Sequence, residues 1–156
     1  MSEKSLQDTY APANHCFGCG PSNERGLRIK SFPEGDEVVL RWHAEKHHEA
    51  FPGTLNGGVC GCLFDCHGNW TAAYYLMRRG ARDTLPSTVT AEFHVKLQYP
   101  TSTAGEILVR ARVDEQASSE RKAVVEMTME AGGRTTATCR GVFISVEPGH
   151  PAYHRW

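Results

Sequence analysis

Four segments in the second half of the chain alternate between apolar and polar residues. In the first, residues 88–98, the apolar side chains from Val89 to Leu97 fall on one face, and Thr90 and Glu92 fall on the other, polar face. The other three segments are residues 107–113, 122–129 and 136–146. A period of two predicts β-strands. Because glycine- or serine-containing turns separate the strands and no helix intervenes, we expect an antiparallel meander.

The first half of the chain predicts a hairpin followed by one long helix. Residues 26–32 and 37–43 have strand-like composition and are separated by a short Pro-Glu-Gly-Asp turn. Residues 59–77 are apolar on nearly every side, as in a buried helix. This helix is expected to begin at Gly57-Gly58 and to end at Arg78-Arg79-Gly80, because basic residues and glycine favour helix C-termini.

The order of two strands, one helix and four strands predicts an α+β fold. A length of 156 residues fits a single domain, since two cores of ordinary size would need roughly 200 residues or more. We divide it into a leader (1–25) that closes on a Cys-x-x-Cys turn, a core (26–146) and a tail (147–156).

Composition and charge exclude several classes of protein. With 17 Lys+Arg against 18 Asp+Glu, the net charge of -1 is not that of a basic nucleic-acid-binding domain. Polar residues interrupt the apolar helix, so we expect no membrane span. The amino terminus lacks an apolar signal-peptide region. Six cysteines without an export signal therefore predict a cytoplasmic protein with reduced thiols.

Asp65 is the one formally charged residue among the 27 residues from Phe51 to Met77. An unpaired carboxylate inside a buried helix costs several kcal/mol, so it is usually neutral, hydrogen-bonded or catalytic. It follows Gly57 by a little over two helical turns, and the N–H groups at a helix start can stabilise an oxyanion. An acid or base with an oxyanion site suffices for acyl transfer to water. The alternative is a buried hydrogen bond of purely structural value.

Three segments resemble one enzyme family. They are FPGTLNGGVCGCLFDCHGNW (51–70), TVTAEFHVKLQYP (88–100) and CFGCGPSNERGL (16–27), which together resemble the hot-dog fold acyl-CoA thioesterases of the phenylacetate-degradation (PaaI) type. The resemblance implies an antiparallel sheet around one central helix. It also implies hydrolysis of an acyl-CoA thioester without a cofactor, in a homodimer or a dimer of dimers.

The resemblance also implies roles for individual residues. Asp65 would be the general base or the nucleophile, and the N–H of Gly57, together with that of Gly58, would polarise the thioester carbonyl. Thr90 would position the water, although an ordinary strand threonine at the surface is the alternative. The glycine turn and the carboxylate would come from different subunits.

Two positions depart from the family pattern. Asn56 stands where many relatives have histidine, and it could donate a hydrogen bond but not a proton near neutral pH. Ala50 stands where several relatives have Asn or Gln. We therefore count Asn56 among the catalytic candidates and His48 and His67 among the substrate-binding ones.

Cys16 and Cys19 invite a zinc hypothesis, with Cys60, Cys62, Cys66 or His67 as further ligands. A single Cys-x-x-Cys is weak support, and cysteines in an apolar helix usually pack as small hydrophobes. From the sequence we therefore assign no metal. Two other functions stay open: hydration or dehydration of an acyl thioester, and non-catalytic binding of a CoA ester.

Overall fold

One long helix packs against a six-stranded antiparallel sheet in the computed structural model, which describes residues 3–154. Met1, Ser2, Arg155 and Trp156, assigned above to the leader and tail, lie outside the described residues. The elements are α1 (Leu6–Tyr10), β1 (Phe32–Glu34), β2 (Glu37–His43), a 3-10 turn (Lys46–His48), β3 (Glu49–Phe51), β4 (Thr54–Leu55), α2 (Gly57–Arg79), β5 (Thr88–Leu97), β6 (Glu106–Val113), β7 (Lys122–Ala131) and β8 (Arg134–Ser145). The sheet order is β1-β2-β6-β7-β8-β5, and β3 and β4 form a separate pair. The predicted α+β architecture is confirmed.

The helix α2 has the predicted bounds, and it packs against β5, β6, β7 and β8. Gly68 allows α2 to approach the sheet closely, because a Cβ there would lie only 2.6 Å from the ring of Phe143 and 2.8 Å from the Met127 methyl group. The neighbouring Phe64 and Trp70 are almost fully buried. Burial on several sides accounts for the nearly continuous apolar run. Among residues 3–154, no helix has both the length and the apolar character that a membrane crossing requires.

The predicted strand over residues 26–32 is wrong except at its end. Leu27 and Ile29 donate backbone hydrogen bonds to the carbonyls of Phe17 and Gly18, so this segment pairs with the cysteine-containing loop instead of the sheet. Arg28 has a φ of 58°, a left-handed conformation that interrupts a strand. The β-type composition therefore reflects burial against the leader, and the strand begins only at Phe32.

The leader contains the short helix α1. Ser5 caps this short helix by accepting a hydrogen bond from the N–H of Asp8. Leu6 and Gln7 are buried, and the Gln7 side chain forms two hydrogen bonds with Ser31. These contacts attach the leader to the domain.

A β-bulge in β5 changes which face its residues occupy. The pairing with β8 shifts register between Thr90 and Glu92. Beyond the shift, the side chains of Phe93 and Leu97 point toward α2. The Phe93 ring lies next to Gly61, and the Leu97 side chain lies next to Gly57. Thr90 also contacts α2, so it shares the helix-facing side with Phe93 and Leu97. The predicted placement of Thr90 on the opposite face is therefore wrong, because the extra residue of a bulge inverts the alternation.

Candidate active site

Asp65 and Thr90 form a direct pair between α2 and β5. The Thr90 hydroxyl donates a hydrogen bond of 2.6 Å to Oδ1 of Asp65. Burial raises the pKa of the Asp65 carboxyl, while the hydrogen bond from Thr90 opposes that rise. Among the described residues, Oδ2 accepts no hydrogen bond. The carboxylate is thus held on one oxygen, with the other left for a ligand.

The pair lies at a cavity of about 370 Å³. Its lining residues are Asn14, His15, Cys16, Cys19, Asp65, Cys66, Asn69, Trp70 and Thr90. Asn69 follows Asp65 by one helical turn, and its buried Oδ1 has no hydrogen-bond partner within residues 3–154. A buried unpaired amide oxygen is costly, so Asn69 is a candidate to bind water or substrate. Its i+4 spacing from Asp65 was the signal visible in the sequence.

The start of α2 offers one exposed N–H group. Oδ1 of Asn56 accepts hydrogen bonds from the N–H groups of Gly58 (2.8 Å) and Val59 (3.2 Å), which makes Asn56 the N-cap. Within the described part of the chain, no acceptor bonds the N–H of Gly57. The Asn56 side-chain oxygen therefore caps the helix, and the Gly58 N–H is already hydrogen-bonded to it. The Gly57 N–H stays available as an oxyanion donor.

Gly57 and Asp65 cannot act on the same carbonyl within one chain. They are eight residues apart on one helix, which corresponds to roughly 12 Å along the axis. A thioester carbonyl that accepts a hydrogen bond from Gly57 therefore needs a carboxylate from elsewhere.

Solved structures with this architecture include named thioesterases. A thioesterase superfamily protein from Shewanella loihica is 26% identical, with a TM-score of 0.67 over 90% of this chain and 99% of its own. The chain has the hot-dog fold of the thioesterase superfamily. A second thioesterase superfamily protein has a TM-score of 0.67 at 19% identity, over 84% of this chain and 63% of its own. A Bacillus halodurans protein whose crystal structure was determined with CoA is 20% identical with a TM-score of 0.61, over 78% of this chain and 76% of its own. No family model matches the sequence, and no curated protein does.

His67 occupies the hot-dog core and does not reach the cavity surface. It is fully buried, with Nε2 3.0 Å from the carbonyl of Val38 and Nδ1 2.8 Å from the Ser31 hydroxyl. Because a carbonyl only accepts, Nε2 carries the proton and Nδ1 accepts from Ser31. Burial lowers the pKa of His67 to about 4, which keeps the ring neutral. The structure thus gives His67 a structural role in place of the expected substrate contact.

Replacement of His67 by Leu is expected to destabilise the fold by about 2–4 kcal/mol. Leucine leaves the buried Ser31 O–H without its acceptor Nδ1 and the Val38 carbonyl without the Nε2–H donor, although the Ser31 oxygen still accepts from Gln7. Each such loss costs about 1–3 kcal/mol. Urea unfolding monitored by circular dichroism measures the effect. His67→Gln should lose less stability than His67→Leu, because the glutamine amide can still donate a hydrogen bond to the Val38 carbonyl. Equal urea midpoints for wild type and His67→Leu would contradict this assignment.

His48 lies beside the start of α2 and not at the Asp65 cavity. Its carbonyl accepts the N–H of Asn56, and its Nδ1 accepts the N–H of Glu45. Its ring packs against Trp42 at 5.0 Å between centroids. Burial lowers the pKa of His48, and the neighbouring His47 lowers it further. A substrate contact by His48 stays a prediction, and it would occur at the helix start.

A larger cavity of about 750 Å³ lies along the C-terminal part of α2. Arg78 and Arg79 line it, but each contacts a tyrosine: Arg78 lies 5.5 Å from the ring centre of Tyr74, and Arg79 donates to the Tyr75 hydroxyl. Asp65 is not among its lining residues. The candidate catalytic residues Asp65 and Thr90 therefore lie at the smaller cavity.

Proposed function

We propose that this protein hydrolyses an acyl-CoA thioester in the manner of PaaI-type enzymes, with Asp65 as general base or nucleophile. The observation that carries the proposal is the hydrogen-bonded Asp65–Thr90 pair that lines the 370 Å³ cavity. The fold shared with thioesterase superfamily proteins supports the reaction class. The similar Bacillus halodurans protein determined with CoA supports a CoA ester as the substrate.

In the general-base route, Oδ2 of Asp65 takes a proton from water while the water oxygen bonds to the thioester carbon. The Thr90 hydroxyl holds Oδ1 and so fixes the orientation of the carboxylate. The N–H of Gly57 stabilises the oxyanion. The carbon–sulfur bond then breaks, and the CoA sulfur leaves with the proton that Asp65 carried. In the nucleophilic route, Asp65 attacks the carbonyl carbon, the carbon–sulfur bond breaks and the CoA thiolate leaves. Water then hydrolyses the resulting anhydride to the free acid and the Asp65 carboxylate, and the proton released from water goes to the CoA thiolate.

A second copy of the chain supplies Gly57 in this proposal. Within one copy, Gly57 and Asp65 are too far apart along α2 to share a carbonyl. The β5 strand is at the edge of the sheet and exposes Phe93 (40%) and Leu97 (57%). An edge strand with exposed apolar residues favours pairing with another strand. A homodimer formed along β5, alone or within a dimer of dimers, would cover that edge beside both helix starts.

A panel of acyl-, aryl- and enoyl-CoA esters tests the proposal through the release of free thiol. For at least one ester, we expect the rate of thiol release to be proportional to the concentration of purified protein. Equal rates with the protein and with buffer on every ester would contradict the proposed hydrolysis.

The second candidate function is hydration of an enoyl thioester, and one observation favours it. His15 lines the same cavity as Asp65, so a histidine and a carboxylate could act together there. On the same panel, loss of enoyl absorbance without thiol release identifies this reaction and excludes hydrolysis of that ester.

A further inference from the structure

Thiols from two distant parts of the sequence converge beside Asp65. Cys16 and Cys19 come from the leader loop, and Cys66 comes from the middle of α2. Their three Sγ atoms all lie within 4.8 Å of one another, and the Cys16 and Cys66 sulfurs are 3.9 Å apart. All six cysteines of the chain are free.

The separation of the sulfurs fits a shared metal ion. Zinc–thiolate bonds are about 2.3 Å long, so two ligands of a tetrahedral site lie roughly 3.8 Å apart. The 3.9 Å between Cys16 and Cys66 matches that spacing, whereas a disulfide would need about 2.05 Å. Four-coordinate thiolate sites are typical of structural zinc.

Cys62 provides a fourth thiol on the same side of α2. It precedes Cys66 by one helical turn, and the two thiols interact. Both sulfurs lie against Gly18: a Cβ at that position would be 2.3 Å from the sulfur of Cys66 and 3.0 Å from that of Cys62. Glycine between Cys16 and Cys19 is therefore what allows the loop to reach the helix thiols. We refer to Cys16, Cys19, Cys62 and Cys66 as the thiol cluster.

Hydrogen-bond donors surround the sulfurs, as around a metal-bound thiolate. The indole Nε1–H of Trp70 donates to Cys19 at 3.2 Å. The backbone N–H groups of Gly18 and Cys19 donate toward the sulfur of Cys16. Such donors stabilise negative charge on sulfur.

We propose that the thiol cluster binds one zinc ion per chain and thereby fastens the leader loop to α2. Each ligand loses a proton on binding, so a four-thiolate site releases four protons and involves no oxidation or reduction. Because Cys66 directly follows Asp65, the bound ion would also fix the wall of the cavity that contains the carboxylate. The proposal does not depend on thioester hydrolysis, since metal content is measured without substrate.

Metal content and cobalt substitution test the proposal on the full chain. Protein purified under reducing conditions without chelator should contain about one zinc per chain by elemental analysis. After removal of the zinc, Co²⁺ alone should produce the thiolate-to-cobalt charge-transfer band and the strong visible bands of a tetrahedral site. Added Zn²⁺ should abolish both signals.

The remaining two cysteines provide matched controls. The double variant Cys16→Ser/Cys19→Ser removes two ligands and should lose the cobalt bands, whereas Cys60→Ser and Cys139→Ser should retain them. Cys62→Ser and Cys66→Ser should each weaken the charge-transfer band by about a quarter, as one of four sulfur ligands is lost. The absence of cobalt bands in the reduced wild-type protein would overturn the proposal whether or not any variant folds. So would an equal loss of these bands in the Cys60→Ser control.

Discussion

Replacement of Asp65 by Asn is expected to lower kcat/KM by about 10²–10⁴-fold for the CoA ester that the wild type hydrolyses fastest. The amide has nearly the shape of the carboxylate, and its oxygen can still accept the Thr90 hydrogen bond. It can neither take a proton from water nor attack the carbonyl. The chemical step is lost while the local contacts remain.

Stability measurements separate this loss from unfolding. Burial raises the pKa of Asp65, which means that the charged form is disfavoured at this position. A neutral amide should therefore leave the urea midpoint unchanged or slightly higher. If Asp65→Asn keeps kcat/KM within a few fold of wild type, Asp65 is neither base nor nucleophile.

Thr90 provides a second test of the same carboxylate. Because its hydroxyl fixes Oδ1, Thr90→Val should lower kcat more than it raises KM, and Thr90→Ser should restore most of the rate. Recovery of kcat in Thr90→Ser but not in Thr90→Val would show that the hydroxyl positions Asp65. If Thr90 only packed within β5, valine would be tolerated as well as serine.

Replacement of Gly57 by Pro is expected to lower kcat by about 10²–10³-fold, the usual effect of removing one oxyanion donor. Proline lacks the N–H but is well tolerated at the first position of a helix. The preceding residue, Asn56, already has the extended conformation (ψ 133°) that proline requires. The substitution thus removes one hydrogen-bond donor with little change in the helix.

Gly57→Ala is the matched control, because it adds a Cβ but keeps the N–H. In both variants the new carbon lies 3.1 Å from Cδ1 of Leu97, the end of a flexible side chain that can move. We expect Gly57→Ala to retain most of the wild-type kcat. Equal kcat values for the Pro and Ala variants would contradict the oxyanion role.

Mixing the two inactive variants tests whether the site is shared between subunits. In a mixed dimer of Asp65→Asn and Gly57→Pro chains, one site has both substitutions and the other has neither. Random re-association of equal amounts should restore about a quarter of the wild-type activity, because half of the dimers are mixed and each has one intact site of two. No recovery after verified subunit exchange would mean that Gly57 and Asp65 do not act at one shared site.

Much of the fold could be predicted from the sequence because it is encoded locally. The period of two identified β5 to β8, and the apolar run between Gly57 and Arg79 identified α2 with its bounds. Asp65 is recognisable because it is the only formally charged residue among residues 51–77. Residues 26–32 have the composition of a strand because they are buried against the leader loop, with which they form backbone hydrogen bonds.

The sequence by itself therefore determined the order of α2 and β5 to β8 and singled out Asp65 as the candidate carboxylate, since both follow from residues close together in the chain. Only the tertiary structure decided which side chains contact that carboxylate. The bulge in β5 turns Thr90 toward Asp65, and its register depends on the pairing with β8. The leader loop brings Cys16 to Cys66 across 50 residues. Contacts of this kind depend on how separate elements pack, and no local pattern of hydrophobicity or spacing specifies them.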